Sequence, residues 1–403
     1  MDGTIPTYRP TVAPAVLDDY LPPGDRPPRA RRATPFAWRA PDTIAPRRWL
    51  YRRHYIRKFV SSTTAASGVG KSALAIGEAV DMATGRGILA SASSPLRVWY
   101  LNLEDPKEEI DRRVAAFCLH HGIADSDLGG RLFVDSGRDR KVIIGRGRGT
   151  TVELDSDVIA DLIEAIAADM IDVVILDPFV ACHRVQENDN MAVEAIVKAL
   201  AEVAERGDCS IELVHHTRKT GGAEATVEDG RGASALTAAV RSARVLNVMS
   251  RDEAARAGVD EPRLYIRADS GKASMAPPSS AQNWFTLASV DLGNGAGGAS
   301  DSVQAVEPWR WPQASAGLPD ADLVRALEAL AQGEHAESVQ ARNWGGVAVA
   351  GALGINLDDP AGKARVKEIL ADWRRKGVIR IEQRRSRRDG RDKPVIIVAE
   401  AAR

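Results

Sequence analysis

Between Phe59 and about Leu292, short β-rich runs alternate with stretches of helical period, a succession that predicts a sheet flanked by helices. The runs are FVSSTT (59–64), RVWYLNL (97–103), RLFVD (131–135), DVVILD (172–177), SIELVHH (210–216), RVLNVM (244–249), RLYIRA (263–268) and NWFTLA (283–288). DVVILD is almost continuously apolar, as a parallel strand covered on both faces must be. Apolar positions recur at helical spacing over 73–83, 106–121, 155–169 and 190–206. The fold class this predicts is α/β, with a mainly parallel sheet in a core spanning 46–292.

The pattern breaks on both sides of that core. Ten of the 21 prolines precede residue 47 in a stretch without apolar periodicity, so 1–45 read as an extended or disordered arm. Gly, Ala, Ser and Pro dominate 293–318, which reads as a linker. Helices are then predicted over 320–331, 347–353 and 361–376, the last ending at Gly377, followed by VIRIEQ, a polar turn through Asp389-Gly390, and VIIVAE. Three helices and a hairpin with a basic turn are the order of a small winged helix-turn-helix domain, here 319–403. Such a domain binds DNA in some proteins and other proteins in some.

Composition narrows the setting. With 44% hydrophobic and 27% charged residues the chain resembles an ordinary soluble protein, and no apolar run approaches the roughly 18 residues of a membrane span. No signal-type apolar core opens the sequence, and Cys118, Cys182 and Cys209 lack metal-ligand spacing, so a cytoplasmic protein with buried thiols and no membrane partner is expected. Net charge is only -1, but 26–58 hold eleven Lys or Arg against one acid and 363–393 hold thirteen against five. Positive charge gathered at two ends is the footprint of a polyanion partner, since each cation set against a phosphate releases a counterion. Solvated surface runs would look the same.

The strongest chemical signal is Gly68-Val69-Gly70-Lys71-Ser72 between an apolar strand and an Ala-rich helix, the context of a phosphate-binding P-loop. Glycines let the loop amides and the helix N-terminus face phosphate oxygens. Gly68, Val69, Gly70, Lys71, Ser72 and Ala73 form the expected ATP-holding set, with Lys71 reaching the β and γ phosphates and Ser72 on Mg2+. Where the usual pattern begins with glycine, this chain has Ala65. Asp177 ends the DVVILD strand, where a carboxylate can hold the Mg2+ shell. Glu104 ends RVWYLNL and can polarise the attacking water as general base. Asp105 is adjacent, and an Asp-Pro at a strand end can equally be a helix cap.

Taken together, SGVGKS (67–72), NLED (102–105), VVILDP (173–178), VHHTRK (214–219) and RGASALTAAVR (231–241) resemble the plasmid RepA-type hexameric helicases and the related AAA-labelled phage ATPases of the RecA fold. The resemblance covers about 48–290. It implies a RecA-like core, a hexameric homo-oligomer, DNA as partner, and catalytic roles for Lys71, Glu104, His216 and Arg241. His216 would sense the γ phosphate, and Arg241 would be the arginine finger given to a neighbouring subunit. Arg244 and Arg231 compete with Arg241, and Lys272 resembles a second trans-acting position. Loops 179–190 and 218–231 would line a central channel, with Arg218 and Lys219 as DNA contacts. On the C-terminal domain Arg374 and Arg375 of the third helix, and Arg385, Arg387 and Arg388 of the wing, are the further DNA candidates. A regulatory or loading ATPase that switches assembly without unwinding is the other class these features allow.

Overall fold

The computed structural model describes residues 33–149, 151–217, 224–230, 233–276, 283–295, 299–312, 318–385 and 392–399. The chain forms two units, one comprising residues up to Val248 with Ile266–Trp309, the other Met249–Tyr265 with Arg310–Arg403.

Nine strands build the first unit's sheet, in the order Ser302–Trp309, Asn283–Asp291, Tyr265–Ala273, Ser242–Val248, Val60–Ala65, Ser210–His216, Val173–Asp177, Val98–Asn102, Leu132–Ser136. The six from Ser242–Val248 to Leu132–Ser136 are parallel. Alternation within Val173–Asp177 explains its apolar run: Val173 and Ile175 pack on one face with the helix Lys71–Thr84, and Val174 and Leu176 on the other with Ser156–Ala168 and Asn190–Arg206. Both cores are therefore closed by helices, and the strand's carboxyl end, Asp177, is carried to the rim where the loops converge.

The second unit has helices Asp320–Ala331, Gly345–Leu353 and Pro360–Arg375 and a three-stranded antiparallel sheet in the order His335–Ala336, Asp392–Val398, Ile379–Arg385. Leu330, Trp344, Val349, Val366, Trp373, Ile379 and Ile396 form its core. The helix Arg251–Ala257 packs against Pro360–Arg375.

Two expectations are corrected here. Residues 302–309, expected in a linker, are the outermost strand on one side of the large sheet. Residues 249–265, expected in the core, group with the C-terminal unit. Within the N-terminal positive run Arg48 pairs with Asp208, Arg57 with Asp172, Lys58 with Glu205 at 2.8 Å, and Arg52 lies 3.8 Å from Glu78, while Arg26, Arg29, Arg31 and Arg32 lie outside the described residues. Those cations fasten the hairpin of Trp49–Tyr51 and Tyr55–Ile56 and its flank to the core. Of the expected arm, 1–32 lie outside the described residues, while 33–45 are exposed and carry only the 3-10 turn Pro41–Thr43. Cys182 and Cys209 are buried as expected, Cys118 only partly. Among the described residues no helix is long and apolar enough to cross a membrane.

Candidate active site

The Val60–Ala65 strand delivers the phosphate loop. Ala65 is fully buried inside the strand, paired in register with His216 and Leu246, so its methyl belongs to the sheet and leaves the loop clear. The turn is made by Gly68 (φ 78°) and Gly70 (φ 95°), backbone conformations a side chain disfavours. A Cβ at Gly70 would also meet Leu287 Cδ1 at 3.1 Å. Helix Lys71–Thr84 starts directly on Gly70 with no side-chain cap, which leaves its first-turn amides facing the loop. Lys71 is 7% exposed, and its Nζ lies 3.2 Å from His216 Nδ1. Burial lowers the Lys71 pKa, against the pull of Asp177 and Glu104. A buried ammonium beside uncapped amides is a cradle built for an anion.

Asp177 is 3% exposed and is reached by the Tyr100 hydroxyl at 2.7 Å and by Ser72. Burial raises its pKa, and these two donors and Lys71 pull it back. A Ser–Asp pair beneath the P-loop is the donor set that fits Mg2+. On the neighbouring strand Asn102 pairs in register with Asp177, and its Oδ1 accepts the amides of Glu104 (3.0 Å) and Asp105 (2.7 Å). That tight turn separates the two acids. Asp105 is bound to Arg113 at 2.8 Å, whereas the Glu104 carboxylate is exposed and has no hydrogen bond or ion pair among the described residues. Burial of its surroundings, then Asp177 and Asp105, raise the Glu104 pKa, as suits a group that must accept a proton. Arg138 donates to the Glu104 carbonyl at 2.6 Å and steadies the turn. Tyr100, Asn102, Arg113 and Arg138 were invisible to motif reading; only the Asn in NLED, a residue that caps turns, hinted at this arrangement.

The residues expected from other subunits or for DNA are placed elsewhere. Arg241 is exposed at the N-terminal end of its strand, its amide bonded to the Val60 carbonyl, at the opposite end of the sheet from Lys71. Lys272 lies beside it, and its Nζ donates to Thr237 O (2.5 Å) and Ala238 O (3.0 Å), closing the helix Ala233–Ala239. Burial and the neighbouring Arg241 lower its pKa. Arg244 is a correction. It is 7% exposed, its guanidinium clamps Glu78 at 2.7 and 2.5 Å, and its Nε donates to Thr63, so it has no freedom to serve a neighbour. Arg218, Lys219, Arg231, Arg387 and Arg388 lie outside the described residues. Arg374 and Arg375 are exposed but pair with Glu337 (2.8 Å) and Glu368 (3.0 Å), and Arg385 is exposed at the end of its strand.

A loop of uncapped amides, a buried lysine, a Ser–Asp pair and a raised-pKa glutamate at the carboxyl rim of a mostly parallel sheet fit a P-loop ATPase core. Residues 25–222 match the family model described as AAA domain, which supports an AAA/P-loop ATPase family for this segment and ATPase as its activity. No curated protein matches the chain.

Proposed function

We propose that the protein is an ATP-driven DNA motor, a ring-forming replicative-type helicase of plasmid or phage origin that works in the cytoplasm and hydrolyses ATP between subunits. One observation carries it: Arg241 is exposed at the sheet end remote from Lys71, with the half-buried Lys272 holding the neighbouring helix end beside it, too far from its own nucleotide site and suited to a neighbour's. Lys71 and the loop amides grip the triphosphate. Ser72 and Asp177 would hold Mg2+, which supplies charge neutralisation on the phosphate oxygens. Glu104 takes a proton from water as its oxygen attacks the γ phosphorus and ADP leaves. His216, in contact with Lys71, is positioned to feel the loss of the γ phosphate. A finger such as Arg241 adds about 10³ to 10⁵ in rate where such groups act in trans.

The DNA-binding half of the proposal draws on the C-terminal unit. Its helix, short strand, helix, helix, hairpin order is that of a winged helix, and Arg365, Lys367, Arg374 and Arg375 are exposed on the third helix. With no Asn or Gln on that helix, phosphate contact suits it better than base reading. Purified protein is expected to separate a forked duplex with ATP and to assemble into a ring with a nonhydrolysable analogue. Lys71→Ala should abolish ATPase and unwinding and leave DNA binding intact. Robust hydrolysis without strand displacement would instead make this a loading or switching ATPase, and full turnover by the variant would remove the site altogether.

A further inference from the structure

We infer that the hairpin of Gly145–Arg148 and Thr151–Leu154 is a nucleic-acid contact coupled to the nucleotide site, an inference that rests on the motor proposed above and names its contact surface. Arg146 and Arg148 stand on one face, two residues and so about 7 Å apart along the strand, a step comparable with that between successive phosphates of a nucleic-acid strand. Both are exposed. Arg146 has no side-chain hydrogen bond or ion pair among the described residues, and Arg148 has one solvent-facing pair, 3.4 Å from Glu153. By register Thr151 and Glu153 share this face, while Val152 and Leu154 fall on the other. A face of two arginines, a threonine and a glutamate lacks the apolar centre that protein interfaces need, which favours a phosphate backbone.

A third exposed arginine is fixed alongside. Gly147 N donates to Arg184 O at 3.0 Å and Arg184 N to Gly145 O at 2.9 Å, while Ile144 N donates to Cys182 O at 2.7 Å. Glycine at 145 lets the hairpin lie against the helix Asn190–Arg206, since a Cβ there would lie 2.8 Å from Ile196 Cδ1 and 2.9 Å from the Glu153 carbonyl. The 182–184 segment follows Asp177 by only a few residues. His183 packs on Phe179 (ring centroids 4.8 Å), and Phe179 also meets His215 (5.6 Å), the neighbour of His216. Movement at Asp177 or His216 on loss of the γ phosphate would reach the hairpin through these ring contacts and the backbone bonds to 182–184.

The test is fluorescence anisotropy of the full chain with a labelled single-stranded DNA, its duplex and its RNA counterpart, over a salt series, with ADP or a nonhydrolysable ATP analogue. Arg146→Glu/Arg148→Glu should weaken binding about tenfold or more and flatten the log–log salt slope by about 0.7 per lost single-strand phosphate contact. The same pair changed to lysine should stay close to the natural chain, and Glu153→Gln should bind more tightly, a gain that misfolding cannot mimic. The ADP-to-analogue difference in affinity should shrink in the reversed pair. Unchanged affinity and slope in a reversed pair with a normal melting temperature overturns the inference while leaving the motor standing. A natural chain that binds no nucleic acid removes the motor first and the inference with it.

Discussion

Glu104 and Asp105 show how adjacent carboxylates acquire different duties. Arg113 takes Asp105 out of play at 2.8 Å, and the Asn102 turn leaves Glu104 open beside Asp177 and Lys71. Because the Glu104 pKa is raised, protonation as pH falls begins above the usual carboxylate range, so kcat should decline there on the acid side. Glu104→Gln should lower kcat by about 10² to 10⁴ and erase that acid limb while nucleotide still binds, measured as a pH–rate profile. An undiminished kcat would show that Glu104 is not the general base. The P-loop residues, Asp177 and Glu104 were legible in the sequence because each sits at the junction of a strand with its own loop, where local order records geometry. Tyr100 and Arg138 were not, since their role depends on which strand lies beside which.

At the scale of elements, the same limit explains Arg244. Its partner Glu78 is 166 residues away, on the P-loop helix, and Tyr55 from the N-terminal hairpin donates to the same carboxylate at 2.7 Å. Burial alone would raise the Glu78 pKa, but the Arg244 guanidinium brings it to about 2. Removing the guanidinium strands a buried carboxylate, so Arg244→Met should cost about 3 to 5 kcal/mol in urea unfolding. A finger would instead lose turnover and keep stability. The strand Ser302–Trp309 escaped notice for a different reason: it follows a Gly- and Ala-rich stretch and contains Pro308, which signals a loop except at a sheet edge, where this strand lies. Positive charge in the sequence likewise could not distinguish a cation awaiting phosphate from one already paired. Arg57 and Lys58 are of the second kind.

Across the molecule, acid sensitivity follows from which buried groups must take up protons. His183, 2% exposed, has its pKa lowered to about 4, first by burial and then by His215. An unfolded chain binds a proton at this residue near the ordinary 6.5 and the folded chain resists, so stability is lost as pH falls from about 6.5 to about 4. Glu78 acts in a lower window, its contribution present above the ordinary carboxylate value and lost toward about 2. A drop in melting temperature between pH 7 and 5 is therefore expected, flattened in His183→Asn, with His183 worth on the order of 3 kcal/mol. An equal drop in that variant would move the effect to other histidines.

The assignment of Met249–Tyr265 to the C-terminal unit means that the polypeptide passes between the two units three times, near 248, 265 and 309. Gene fusions and truncations designed on a beads-on-a-string plan would thus go wrong in a specific way. A fragment stopped at 312 keeps all nine sheet strands but leaves the Arg251–Ala257 helix without the Pro360–Arg375 surface it rests on, and a fragment begun at 310 lacks that helix altogether. Cloning either half as an independent module calls for bridging 248 to 266 with a short artificial turn, or for supplying the missing helix in trans.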